Sequence, residues 1–223
     1  MSDPRTKLTH REVADAGLDD WRQVLGSLKA RFRTGDFATG LALVDRIGAA
    51  AEEANHHPDV SLTYPEVIVT LSSHDVGGIT SRDLDLARTI STYAAEAGVD
   101  ADVSGLTQLE LGLDTAAGER LAPFYAALLG SEVKDGEPVD ASGQVPTVWF
   151  QEPGDDGPAL PETDVAQRWH FDVWVPMDEA ARRVQAVLDA CGTLVSDAAS
   201  PSYWVVADAE GNRSCICTVA SRD

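Results

Sequence analysis

The stretch EEANHHPDVSLTYPEVIVTLSSHDVGGITSRD, residues 52–83, holds three of the chain's five histidines: His56, His57 and His74. An unperturbed imidazole titrates near pH 6.5, so it can give or take a proton close to neutrality without much tuning. Pro58 prevents a helix from continuing past the first two histidines. His74 stands where an alternating strand gives way to an Asp-Val-Gly-Gly turn. A helix end and a strand end can meet over one cleft, and two imidazoles can then flank a flat ligand. Glu52 precedes His56 by four residues, which puts both side chains on one face of a helix. A carboxylate there fixes the imidazole tautomer and favours its protonated form, the state of a general acid, leaving a neutral imidazole as base. A three-histidine zinc site is the alternative. No HExxH spacing occurs, so acid–base use ranks first. His10 reads as a surface residue.

The other chemistry-bearing residues are sparser. Cys191, Cys215 and Cys217 make an odd count with no regular framework, which points to reduced thiols and a cytoplasmic location. Cys215 and Cys217 share one face of a strand and read as two small buried residues rather than a metal pair. The formal charge of −20 argues against nucleic-acid and anionic-lipid partners, which need Lys and Arg to neutralise phosphate. The opening MSDPRTKLTH lacks the apolar core of a secretion signal. No run of about 18 apolar residues suggests a membrane span.

The elements that must position the histidines follow from local signals. Thr9 and Glu12 form a capping box for a short helix. WRQVL and SLKARFRT read as a strand pair around Gly26. Asp36 caps a helix running to about Asn55, with Phe37, Leu41, Val44, Ile47 and Ala51 at helical spacing. Asp59–Thr63 and Glu66–Ser73 alternate as a hairpin around Tyr64-Pro65. Thr80 and Asp83 cap a last helix with the stripe Leu86, Ile90, Ala94 and Ala97, stopped by Gly98. The predicted fold class is α+β: an αββαββα antiparallel sheet with helices on one face. Its unpaired edges leave self-association, as a homo-oligomer, open.

A second domain is expected beyond Ala97–Gly105, a small, polar, glycine-flanked stretch that reads as a linker. The net charge is −5 over residues 1–98 and −15 beyond them. The expected domains are therefore 1–98 and 106–223. In the second, residues 109–135 align without a gap to residues 171–197, at an offset of 62. Each repeat reads as strand, helix, glycine turn and strand, followed by VPTVWFQ in the first and by SYWVVAD and RSCICTVA in the second. Neither can bury its apolar face alone, so the two should pair as βαβββ units. QEPGDDGPALPETD separates them.

The first half resembles the pterin-4a-carbinolamine dehydratase (4a-hydroxytetrahydrobiopterin dehydratase) family over residues 8–98. The resemblance rests on Glu52 four residues before His-His-Pro, a hairpin, Leu-Ser-Ser-His-Asp, the Gly-Gly turn, Thr-x-Arg-Asp, Trp21 and the Asp36-Phe37 helix start. It implies a hydro-lyase of the tetrahydrobiopterin system. Such an enzyme removes water from 4a-hydroxytetrahydropterin to give quinonoid dihydropterin, with a pterin as its small-molecule partner and no cofactor. By carry-over, His56 and His74 are the acid–base pair and His57 holds the substrate. Pro58, Ser73, Asp75 and Val76 match pterin-contacting stretches, and Glu52, Arg82 and Asp83 match supporting polar residues. Trp21 either walls the pocket or packs in the core. The resemblance also implies an alternative, a dimerisation partner of a transcription factor acting through its helices.

The second half resembles the glyoxalase/bleomycin-resistance (vicinal oxygen chelate) superfamily over residues 106–221, through FYAALLG, RWHFDVWVP and DAEGN. Metal-dependent members take ligands from the first strand of each repeat and carboxylates from the last strands. That implies Gln108 and His170 as ligands by type, but Cys215 and Cys217 stand where a Glu is expected. A non-metal role for His170 is the default. Trp149, Trp169, Trp174 and Trp204 can line a small-molecule site, which makes a binding module a further alternative.

Overall fold

The computed structural model describes residues 4–106, 108, 110–140, 142–143, 145–151, 170–175, 177–218 and 220. The chain divides into two compact units, residues 1–108 and 109–223.

In the first unit, α1 (His10–Ala14) opens on the Thr9/Glu12 capping box, in which Thr9 N–H donates to Glu12 Oε2 at 2.8 Å. Then come β1 (Arg22–Val24), β2 (Ser27–Arg33), α2 (Phe37–Ala54), β3 (Asp59–Leu62), β4 (Glu66–Leu71) and α3 (Ser81–Glu96). The strands pair antiparallel in the order β1-β2-β4-β3. Side chains alternate across a strand, so Leu28, Ala30 and Phe32 of β2 join Val67, Val69 and Leu71 of β4 on one buried face. Leu43, Ile47 and Ala50 of α2 and Leu86, Ala87, Ile90 and Ala94 of α3 complete that core. This is the α+β class that the sequence predicts. Trp21 belongs to the same core. It is 2% exposed, lies edge-on to Phe32 with ring centres 6.1 Å apart, and donates its indole N–H to Ser91 Oγ at 3.0 Å.

Two details differ from expectation. The buried face of α2 is Gly40, Leu43, Ile47, Ala50 and Ala51, while Phe37 and Leu41 are 48% and 45% exposed. Both sets recur at helical spacing, so periodicity cannot choose between them. A Cβ at Gly40 would lie 2.6 Å from Leu62 Cδ1, so the missing side chain is what lets the helix settle on that face. The second difference concerns Ala97–Gly105, which is not a free linker. Asp100–Ala101 form β5, paired antiparallel with Phe32 and Arg33 of β2, and Val99 is buried.

Asp102 fastens that strand. It accepts from the Ser104 hydroxyl at 2.6 Å and backbone N–H at 3.0 Å, from Arg31 Nη2 at 2.8 Å, and from Arg33. Ser104 first, and then the two guanidinium groups, hold its carboxyl well below the usual carboxylate range. A depressed folded-state pKa stabilises the fold above the unfolded value of about 3.9, and that stabilisation is lost as pH falls below it. Asp102→Asn should therefore lower the melting temperature of this unit at pH 7, and the gap from wild type should begin to narrow in melts taken from pH 5 down to pH 3. A constant gap would contradict the assignment.

The second unit shows the repeat in three dimensions. The first copy contains β6 (Glu110–Asp114), α4 (Gly118–Leu129), β7 (Glu132–Lys134), β8 (Glu137–Val139) and β9 (Thr147–Gln151). The second contains β10 (Asp172–Trp174), α5 (Ala180–Asp189), β11 (Thr193–Ser196), β12 (Tyr203–Ala207) and β13 (Arg213–Cys217). In both, the first strand pairs parallel with the last: β6 with β9 and β10 with β13. Sequence reading passed over β8. Its signal was Asp135-Gly136, whose φ values of 53° and 86° turn β7 back on itself as a two-residue hairpin loop. The aligned glycines do different work. Gly130 ends α4 with φ 72°. In the second copy Cys191 carries the positive φ, and Gly192 serves packing, since a Cβ there would lie 2.7 Å from Val187 and 2.8 Å from Phe124. Leu121, Phe124 and Leu128 of α4 share one core with Val184 and Val187 of α5, Val206 and Ile216. QEPGDDGPALPETD lies outside the described residues apart from Gln151. Among the described residues no helix is long and apolar enough to cross a membrane.

Candidate functional site

The site is assembled at a carboxylate. Asp83 is the third residue of α3, where it completes the capping box by accepting Thr80 N–H at 2.7 Å on Oδ2. The same oxygen accepts the Ser73 hydroxyl at 2.7 Å. Oδ1 lies 2.7 Å from His56 Nε2. Asp83 is wholly buried and His56 nearly so. A carboxylate accepts, so Nε2 carries the hydrogen and Nδ1 is the ring nitrogen left for another partner.

These contacts join two remote pieces of chain. Asn55 closes α2 in the left-handed conformation, φ 47°, with Asn55 N–H donating to Glu52 and His56 N–H to Ala51, the Schellman pattern. That reversal sends His56 inward and rearranges the expected pair: Glu52 Oε1 lies 3.2 Å from Nε2 of His57, not beside His56. The correction has a simple cause. The four-residue rule holds within a helix, and His56 is already outside it. At the other piece, Ser73 and Gly78 bridge through backbone hydrogen bonds around the turn that displays His74. Because Ser73 shares Asp83 with His56, the His74 turn and the end of α2 are tied to one group.

The remaining predicted residues divide by exposure. His57 and His74 present their rings to solvent, Pro58 and Val76 are half-buried, and Asp75 is exposed. Arg82 reaches Asp75 Oδ1 at 2.6 Å and thereby holds that carboxyl below its ordinary value. A cavity of about 410 Å³ opens beside His56, lined also by Ala54, Arg82, Asp85 and Tyr93. That volume falls in the roughly 300–1,000 Å³ of small-molecule sites. Of the predicted site residues His56 and Arg82 line it, and the others, His57, His74 and the core-held Trp21 among them, do not. Thr80 is the participant that sequence reading missed. It was seen as a cap, but its hydroxyl also stands 2.9 Å from Ser73 Oγ.

Gln108, the last residue of the first unit, is exposed, while in the second unit His170 stands beside Asp172 and Cys215. Burial first, and then the neighbouring Asp172 and Cys217, push the Cys215 thiol up to about 11. The Cys-x-Cys reading expected two buried residues; Cys217 is buried, but Cys215 is only half-buried. Trp204 packs on the core, Trp149 is half-buried, Trp174 is exposed, and Trp169 lies outside the described residues.

The first unit is thus an antiparallel α+β unit whose concentrated chemistry is imidazole and carboxylate. Residues 6–93 match the family described as Pterin 4 alpha carbinolamine dehydratase, and residues 110–217 match the Glyoxalase-like domain. A Thermosynechococcus vestitus protein named "Putative pterin-4-alpha-carbinolamine dehydratase" is 47% identical over 83 residues, covering 37% of this chain and 87% of that protein. A Nocardia farcinica protein of the same name is 40% identical over 89 residues, covering 39% and 94%. A crystal structure described as a transcriptional coactivator/pterin dehydratase from Brucella melitensis is 31% identical, covers 40% of this chain and 99% of its own, and has a TM-score of 0.39. The chain belongs to the pterin-4-alpha-carbinolamine dehydratase family and carries a glyoxalase-like domain as well.

Removing the Asp83 carboxylate strands three buried donors, and leaving such a group unmet costs roughly 1–3 kcal/mol. Asp83→Ala should cost the fold about 3 kcal/mol or more in urea unfolding, whereas the exposed His57→Ala should stay within about 0.5 kcal/mol of wild type.

Proposed function

We propose that the first unit is a hydro-lyase that converts 4a-hydroxytetrahydropterin to quinonoid dihydropterin and water. The observation that carries this reading is the buried Asp83, which fixes His56 and anchors the turn bearing His74. The reaction needs one proton delivered to the departing 4a-oxygen and one removed from N5, so the C–O bond breaks with no net change in oxidation state. Two imidazoles supply that pair of transfers. His56, with Nε2 committed to Asp83, offers Nδ1. His74 offers a ring held by no other side chain among the described residues. His57, steadied by Glu52, holds the substrate in this reading, Pro58, Asp75 and Val76 offer further contacts with Arg82 fixing Asp75, and the buried Ser73 acts through Asp83.

The exposed face of α2 favours a second reading. Phe37 and Leu41 lie one helical turn apart and both are about half exposed, which suits packing against a second copy or another protein. Such a contact would use the helix face and leave the histidines free.

Turnover of synthetic 4a-hydroxytetrahydropterin by the full chain tests the first reading. His74→Ala should lower kcat by about 10²–10⁴, the range for losing one acid–base group, with an unchanged melting temperature. Turnover equal to wild type would remove His74 from the mechanism. A chelator should leave the rate unchanged.

A further inference from the structure

We propose that His170, Asp172 and Cys215 form a binding site for a borderline divalent transition ion of the Zn²⁺ type, in the glyoxalase-like unit and separate from the pterin chemistry. The site comes from strand register. β10 and β13 run parallel with Asp172 opposite Cys215, and Cys215 N–H donates to Phe171 O at 2.7 Å, which fixes the pairing. Residues two apart on a strand share a face, so His170, just before β10, projects on the side of Asp172. His170 Nε2 and Asp172 Oδ1 are 3.3 Å apart, and the imidazole, carboxylate and thiol ligand atoms all lie within 4.8 Å of one another.

Those separations suit a tetrahedral ion. With Zn–N and Zn–O near 2.0–2.1 Å, the N···O edge of a tetrahedron is about 3.3 Å, and with Zn–S near 2.3 Å the edges to sulfur are about 3.6 Å. The imidazole–carboxylate edge already has that length, and the sulfur lies within 4.8 Å of both. The donors are nitrogen, oxygen and sulfur, a set that selects Zn²⁺ or Co²⁺ over Mg²⁺ and Ca²⁺, whose ligands are oxygen. Three protein ligands leave a fourth position. His170 and Asp172 are half exposed, so that position faces solvent. The donor set departs from the one the superfamily resemblance implied, because the carboxylate comes from the first strand and the thiolate from the last.

The test uses the full chain, tag-free and stripped by chelator, titrated with Co²⁺ under anaerobic conditions. One equivalent should produce a thiolate-to-Co²⁺ charge-transfer band together with intense tetrahedral d–d absorption. Zn²⁺ should abolish both, and Mg²⁺ should not. Cys215→Ser should remove the charge-transfer band. The exposed substitutions His170→Ala and Asp172→Asn, which leave the core intact, should each weaken binding beyond the roughly 10- to 100-fold typical of losing an outer-sphere partner. Cys191→Ser and the double variant His57→Ala/His74→Ala should keep the full signal. The proposal is overturned by absence of a stoichiometric band, by a band that survives Cys215→Ser, or by a band lost with His57 and His74.

Discussion

A fully buried carboxylate, with no guanidinium or ammonium partner among the described residues, governs the first unit. Taking Asp83 out of water is costly unless donors replace the lost hydration. The chain supplies a backbone N–H from Thr80, a hydroxyl from Ser73 and an imidazole from His56. Its position adds a further term, since negative charge is favoured within the first turn of a helix. The consequence is architectural as much as electrostatic. One side chain on α3 dictates where α2 must end and where the chain leaving β4 must turn. The left-handed Asn55 and the Ser73–Gly78 bridge are the backbone solutions that bring donors to it.

The same arrangement divides labour among the histidines. His56 is committed through Nε2 and cannot reorient without stranding Asp83. His57 is held at the surface by Glu52, and His74 sits on the turn closed by Ser73 and Gly78, its ring held by no other side chain among the described residues. Proton-transfer groups benefit from this contrast. A ring locked by a buried acceptor has a defined tautomer, while an exposed one exchanges protons with water. Arg82 extends the pattern outward by holding Asp75 beside the His74 turn, so the surface around the exposed imidazole is itself ordered.

Much of this was legible in the sequence because the signals were local. Capping boxes at Thr9/Glu12 and Thr80/Asp83, the stop at Pro58, and alternation in β4 each depend on a few neighbouring residues. What escaped was set by tertiary choice. The buried face of α2 turned on Gly40 and Leu62, which no periodicity count includes. β5 was read as a linker because two residues of strand carry no pattern, and its pairing to β2 rests on Asp102 meeting Arg31 and Arg33. The Glu52–His56 pair fails because helix spacing carries two residues past the helix, which ends at Ala54. The assembly at Asp83 drew on three segments, and only the presence of suitable residue types could be read in advance.

The repeat in the second unit supplies an internal comparison for its chemistry. On the paired first and last strands Glu110 stands opposite Thr147 in one copy, just as Asp172 stands opposite Cys215 in the other. The backbone frame is the same, so the difference lies in the donors. A carboxylate beside a hydroxyl is an all-oxygen set that lacks the nitrogen and sulfur donors favouring a Zn²⁺-type ion. Imidazole, carboxylate and thiolate bind such ions well. The fold provides two equivalent strand pairings, and the proposed ion site falls on the one that carries nitrogen and sulfur donors. The offset of 62 pairs the positions in sequence, but the facing of Asp172 and Cys215 depends on a parallel register that only the folded chain displays.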